Sequence, residues 1–333
     1  MRKSAIAVLG LGALTALGFA VAQGKSPIIG LITKTETNPF FVKMKEGAQK
    51  QADASGAKFL SAAGKIDGDN AGQVTAIENM VAAGAQTILI TPRDSKAIVP
   101  AIAKARAAGV MVIALDSPTE PADAVDALFA TNNYKAGVLI GEYAASALKG
   151  KKVKIAMLDL FPGHPVGIAR HNGFLDGFGV AGVTADTEDL ATGPQVVCAA
   201  DTFGDQAKGQ TAMENCLQKD PGINLVYTIN EPAAAGAYQA LKAAGKEKGV
   251  TIVSVDGGCA GVRNVDAGVI AATSQQYPLK MAALGVAAGV KYAKTGTKAV
   301  GYVDTGVTLI AKKARSGIGS KDVKFGLANC WGN

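Results

Sequence analysis

From residue 28 onward, short apolar runs and helix-length amphipathic segments take turns almost without a break. The runs at 28–32, 87–90, 110–115, 153–158, 224–228 and 251–255 are apolar rather than alternating, which marks strands covered on both faces. Shorter runs at 58–62, 128–130 and 269–273 read as strands too. Helical segments are predicted over 39–54, 70–83, 94–109, 135–148, 164–178, 205–217, 233–244 and 278–294. Such alternation builds βαβ units, hence parallel sheets with helices on their faces. The pattern restarts near residue 135. A chain of 333 residues also exceeds the roughly 250–300 that one hydrophobic core serves. The expected fold is therefore α/β, in two similar lobes, with any ligand held between them.

Residues 1–22 are not part of that fold. Arg2 and Lys3 precede an apolar stretch that ends in Ala20-Val21-Ala22, the pattern of an export signal cleaved after Ala22. The apolar stretch is long for that class, so an uncleaved membrane anchor is the alternative. Gly10-x-Gly12 precedes any strand and carries no nucleotide fingerprint. The net charge of +7 is scattered, with no basic stripe interleaved by aromatics, and nucleic acid is not an expected partner. An exported chain meets an oxidising compartment, so Cys198, Cys216, Cys259 and Cys330 suggest two disulfides. Three pairings are open. Cys198–Cys216 with Cys259–Cys330 is favoured, because it ties a strand to the following helix and pins the carboxyl-terminal tail.

The strand ends carry the chemistry. In open α/β sheets ligands bind beyond the carboxyl ends of the strands. There the sequence places Thr33-Lys34, Asp116-Ser117, Thr131-Asn132-Asn133, Asn230-Glu231, Asp256-Gly257 and Ser274-Gln275-Gln276. After the first strand, Asn38-Pro39 opens a helix as N-cap and first residue. Phe40 and Phe41 follow, to be read either as core or as a platform for a ligand's apolar face. Amides donate and accept, carboxylates accept from hydroxyls, and arginine donates in a fixed fork. With an aromatic ring beside them, these groups suit a neutral polyhydroxyl ligand. A phosphate would call for clustered cations and a glycine-rich turn, and neither fingerprint stands at a strand end.

Other motifs carry less. His164 and His171 lie two helical turns apart without a G-x-S-x-G nucleophile. Asp67-x-Asp69 with Gly72 and Glu78 follows a calcium loop in part, but Ala71 stands where an oxygen ligand is needed. Glu142 and Asp159 form no recognisable glycosidase pair. An enzyme is not expected, nor a metal site.

Asn38-Pro39-Phe40-Phe41 with Gly47-Ala48, Thr91-Pro92 with Asp94-Ser95, Ala169-Arg170-x-x-Gly173-Phe174, Asn230-Glu231, Val255-Asp256-Gly257 and Gln276-x-Pro278 occur in one order. Together they resemble the periplasmic sugar-binding proteins of the ribose-binding type, over residues 27–313. Thr33-Lys34-Thr35-Glu36-Thr37-Asn38 and the extra cysteines are most similar to the fructose-binding branch. The resemblance implies a type I periplasmic binding protein: two Rossmann-like lobes joined by a three-segment hinge. Residues 26–131 and 277–304 would form the N-terminal lobe, and 132–276 and 305–333 the C-terminal one. It implies a monomeric periplasmic protein, without cofactor, that delivers a monosaccharide to the permease of an ABC importer, with fructose the first choice and ribose the second. A chemoreceptor is a further partner of such proteins, and a sensory binding protein for a chemotaxis or autoinducer-type ligand is the alternative.

By motif position, the resemblance puts Asn38, Phe40, Phe41, Asp116, Asn133, Arg170, Asn230, Asp256 and Gln276 on the sugar. An aromatic contact is expected near Phe203, with spacing offset by one residue. Two departures stand out: Ser117 follows Asp116 where the pattern has arginine, and Lys34 replaces a small hydroxyl residue. They imply a rearranged pocket that includes Lys34.

Overall fold

The computed structural model describes residues 26–66 and 68–332. The leader read at 1–22, and Asp67 of the partial calcium loop, lie outside the described residues. Strands β1 (Ile28–Thr33), β2 (Lys58–Ala63), β3 (Thr87–Ile90), β4 (Met111–Leu115) and β5 (Ala127–Ala130) pair in parallel, in the order β2-β1-β3-β4-β5. Strands β6 (Ile155–Asp159), β7 (Val196–Asp201), β8 (Leu225–Thr228), β9 (Thr251–Asp256) and β10 (Ala272–Gln275) repeat that order as β7-β6-β8-β9-β10. Two copies of one winding explain why the sequence pattern restarts. The chain then adds one strand to each sheet. β11 (Gly301–Asp304) runs parallel to β5, and β12 (Thr308–Ala311) runs antiparallel to β10. It passes between the sheets after β5, after β10 and between β11 and β12.

Helices cover both faces of each sheet. On the first sheet, α1 (Pro39–Ser55) and α9 (Pro278–Thr295) bury Met44 and Val286 against Leu31 and Leu115. α2 (Asn70–Ala82) and α3 (Val99–Ala107) bury Ile77 and Ile102 on the opposite face. On the second sheet, α4 (Asn133–Ala147) and α5 (Pro165–Phe178) bury Ile140 and Phe174 against Tyr227 and Val253. α6 (Gln206–Lys219), α7 (Glu231–Ala243) and α8 (Cys259–Ala267) close its other side through Met213, Leu241 and Val265. Both favoured disulfides are formed. Cys198–Cys216 ties β7 to α6, and Cys259–Cys330 ties α8 to the tail after α10 (Val323–Asn329).

Helices α4 and α5 meet backbone to backbone. A Cβ on Gly137 or Gly141 would overlap the carbonyls of Arg170 or Phe174, and one on Gly173 or Gly177 those of Tyr134 or Val138. This seam sets the position of Arg170.

Several boundaries differ from the sequence reading. β7, α8, β11, β12 and α10 were not predicted. β7 and β11 are edge strands; β11 is exposed at every residue and has no buried apolar run, whereas β7 is apolar over 196–200 but only partly buried. The helix expected to start at Asp94 begins at Val99. Asp94 Oδ1 instead accepts from Lys96 N and Ala97 N in the preceding turn. β10 starts at Ala272 rather than 269 and extends through Ser274 and Gln275. These two residues are structural. Ser274 Oγ donates to Ala136 O, and Gln275 Nε2 donates to the carbonyls of Gly257 and Gly326.

Candidate functional site

Where strand order reverses at β1/β3 and β6/β8, the two sheets point their carboxyl ends at one another. A cavity of about 50 Å³ lies there. Lys34, Asn38, Phe40, Phe41 and Asp116 line it from the first lobe. Leu160, Val166, Arg170, Gly204, Ile229, Asn230 and Asp256 line it from the second, with Gln276 at a crossing.

The two departures noted above are in direct contact. Lys34 Nζ donates to Ser117 Oγ at 2.9 Å and stands 4.0 Å from Asp116 Oδ2. Ser117 Oγ in turn donates to Asp116 Oδ2 at 3.0 Å. Lys34 thus sets a buried cation beside Ser117 and Asp116. Across the cleft, His164 caps α5 by accepting Val166 N–H on Nδ1. Its Nε2 lies 3.3 Å from Lys34 Nζ. Burial, with the charges of Lys34, Arg93 and Arg170, pulls His164 well below its ordinary pKa, so it stays neutral.

On the opposite wall, Arg170 is held by three contacts. Nε donates to Asn133 Oδ1 at 2.7 Å, Nη1 donates to Ile229 O at 2.9 Å, and Asp256 Oδ1 stands 3.9 Å away. Asn133 does not line the cavity. It orients Arg170 while its own amide donates to Thr131 O. Asp256 ends β9 at φ 146°, outside the regions most residues adopt, and accepts from Gln276 Nε2 at 2.7 Å. Burial raises its carboxyl above the ordinary aspartate value, against the opposing pull of Arg170. Asn230 Oδ1 caps α7 at Ala233 N, and its Nδ2 donates to Gly204 O.

Sequence reading missed the role of Glu231. Its buried carboxyl accepts from Gly257 N and Thr273 Oγ1 at Oε1, and from Gly258 N at Oε2. It holds the turn that carries Asp256. Burial and the neighbouring Asp256 charge raise its pKa. A glutamate after a helix N-cap is usually a dipole partner, so no local pattern reveals this.

The aromatic residues take more than one part. Phe40 and Phe41 are both core and cavity wall: they are buried with Met44 and meet edge to face at 5.4 Å. Asn38 is both the cap of α1, accepting from Phe40 N at 3.0 Å, and a lining residue. Phe203 does not reach the inner cavity. It lies in the outer groove, stacked on Phe161 at 5.6 Å, with Lys208 Nζ 3.7 Å above its ring. Phe161, which the sequence reading did not single out, receives the Arg93 guanidinium of the other lobe at 4.1 Å.

His171 is a structural residue. Its two ring nitrogens face Asp159 Oδ1 and Ala191 O, both at 2.8 Å, an arrangement that suits the doubly protonated ring. Burial pulls its pKa down, but the Asp159 hydrogen bond and charge outweigh that, and the net shift is upward. A raised pKa means that the native state binds the proton more tightly than the unfolded chain. The stability this pair supplies is fully present below the unfolded value of 6.5 and is lost as pH rises through the higher folded value. The melting-temperature gap between wild type and His171→Gln is therefore expected to narrow from pH 6 toward alkaline pH; a constant gap would refute the charged pair.

Among the described residues, no cluster of side chains suited to a metal ion is present, and no helix is long and apolar enough to cross a membrane.

Comparison with known proteins agrees with this geometry. The family described as periplasmic binding protein domain matches residues 29–298. A ribose import binding protein of Bacillus subtilis is 32% identical over 284 residues, which is 83% of this chain and 87% of the relative. Its counterpart in Escherichia coli is 33% identical over 315 residues, 94% of this chain and 99% of the relative. The crystal structure of an ABC transporter periplasmic solute-binding protein from Actinobacillus succinogenes, with bound D-allose, has a TM-score of 0.76 at 26% identity, covering 86% of this chain and 98% of that one. In sequence, in sheet order and in its cleft between two lobes, the chain belongs to the periplasmic binding protein family, in the type I fold and of the ribose-binding type.

Proposed function

We propose that this protein is the periplasmic solute-binding component of an ABC sugar importer and takes one monosaccharide between its lobes. The observation that carries this reading is a pair of buried acceptors at the cavity wall. Asp116 Oδ1 and Gln276 Oε1 accept no hydrogen bond from the described residues. Buried polar atoms are ordinarily bonded, and sugar hydroxyls are donors that would satisfy both. The charges support an uncharged ligand, because Lys34 stands by Asp116 and Arg170 by Asp256. Phe40 and Phe41 supply an apolar wall for the sugar's C–H face.

The protein's work is binding and delivery rather than turnover. A sugar that contacts both walls stabilises the closed form over the open one, and the closed form is what the permease receives. The named relatives take ribose and allose. The Lys34–Ser117 contact rearranges one wall of the pocket, and fructose is proposed ahead of ribose on the resemblance of residues 33–38 to the fructose-binding branch.

Isothermal titration of the mature protein with D-fructose, D-ribose, D-allose and other pentoses and hexoses tests the proposal. One of them is expected to bind saturably at one site per chain. Absence of heat and of any thermal shift across the panel would refute it.

A further inference from the structure

We propose that Trp331 is a positioning residue of the ligand site, held by the Cys259–Cys330 disulfide as a bridge between the lobes. The inference rests on the sugar-binding reading above. Cys259 opens α8 in the second lobe, immediately after the Asp256-Gly257-Gly258 turn, and its disulfide fixes Cys330. The next residue is thereby directed into the cleft. Trp331 O accepts from Cys259 N at 2.9 Å, and Trp331 Nε1 donates to Gln276 O at 2.9 Å. The indole then enters the first lobe's core, only 5% exposed, and meets Phe40 edge to face at 5.3 Å.

Two of the residues that Trp331 touches, Phe40 and Gln276, line the cavity. Phe40 is a wall of the site. Gln276 sits at a crossing between the lobes and presents the unbonded Oε1. One ring thus backs the apolar wall and fixes the main chain beneath a polar contact. It is anchored covalently to the second lobe while packed into the first. Opening the cleft separates Trp331 from Phe40, so the ring favours the closed arrangement. The disulfide at the preceding residue and the Cys259 N–H bond hold the indole in this buried place.

Trp331 is the protein's single tryptophan, so its emission reports on the bridge directly. Adding saturating sugar, identified from the panel above, is expected to shift or enhance that emission in the wild type. Trp331→Ala is expected to bind the sugar about tenfold more weakly, about what the loss of one buried aromatic contact amounts to. Trp331→Phe, which keeps a ring on Phe40, should recover most of that affinity. Cys259→Ser/Cys330→Ser keeps the indole but frees the tail, and should weaken binding while exposing Trp331 to acrylamide quenching. Wild-type affinity in Trp331→Ala, or unchanged quenching in the double serine variant, overturns the proposal. A wild type that binds no sugar overturns the functional reading instead. The bridge is then judged without ligand by small-angle scattering, where Trp331→Ala should have a larger radius of gyration than wild type, and an equal radius overturns it.

Discussion

Asp256→Ala is expected to weaken sugar binding by about 1.5–3 kcal/mol or more, roughly 10- to 150-fold. The carboxylate is buried at the end of β9 and can accept from ligand hydroxyls while Gln276 Nε2 holds one of its oxygens. Its loss removes more than one contact. Gln276 Nε2 loses its 2.7 Å acceptor, and the Arg170 guanidinium loses its nearest carboxylate. Leaving one member of a buried charged set without its partner costs more than the pair gained. The deficit should fall mainly on binding, because Arg170 keeps its ties to Asn133 and Ile229 O. Titration calorimetry gives the affinity, and thermal unfolding shows whether the variant is folded. A folded Asp256→Ala protein with wild-type affinity would mean that the sugar does not use this wall.

Glu231→Gln should cost about 1–3 kcal/mol of stability and also impair binding. The Gly257 and Gly258 amides donate to different carboxyl oxygens. Glutamine offers one acceptor, so its NH2 group must face an N–H. One buried donor goes unsatisfied, and the turn that aims Asp256 has to shift. Glycine at 261 leaves room for this carboxyl, because a Cβ there would overlap it. The pH dependence separates this account from simple misfolding. Burial, then the Asp256 charge, raises the Glu231 pKa. The native state therefore holds that proton more tightly than the unfolded chain. The resulting stability is fully present below the unfolded value of 4.5 and is lost as pH rises through the folded value. Glutamine has no such proton, so the stability gap between the two proteins should shrink with rising pH in denaturant melts. A gap that widens instead would show that Glu231 acts as a stabilising anion.

Much of the fold was legible because buried parallel strands leave continuous apolar runs, as at β1 and β4. β11 was not, because an exposed edge strand has no such run and forms only when β5 offers it a partner. In the site, polar residues directly beyond a buried strand, such as Asp116 and Asn230, were found where the rule places them. Ser274 and Gln275 misled, because the strand continues through them and their side chains bond the framework. Asn133 sits one bond behind the cavity, a distinction spacing alone does not resolve. The role of Glu231 and the place of Trp331 were not legible for a common reason: their partners lie far away in the chain, at Gly257 and at Phe40.

The glycine seam between α4 and α5 bears on how such a protein can change. Asn133 belongs to one of these helices and Arg170 to the other, and their backbones are too close to slide. The ordering of Arg170 is thus completed during folding, so little entropy remains to be lost when ligand arrives. The same rigidity makes this wall a poor place to evolve, since nearly any side chain at 137, 141, 173 or 177 would force the helices apart. New ligand preferences should therefore arise on the opposite wall, in the loops after β1 and β4. There Lys34, Ser117 and Asp116 form one contact set that a few substitutions could redraw.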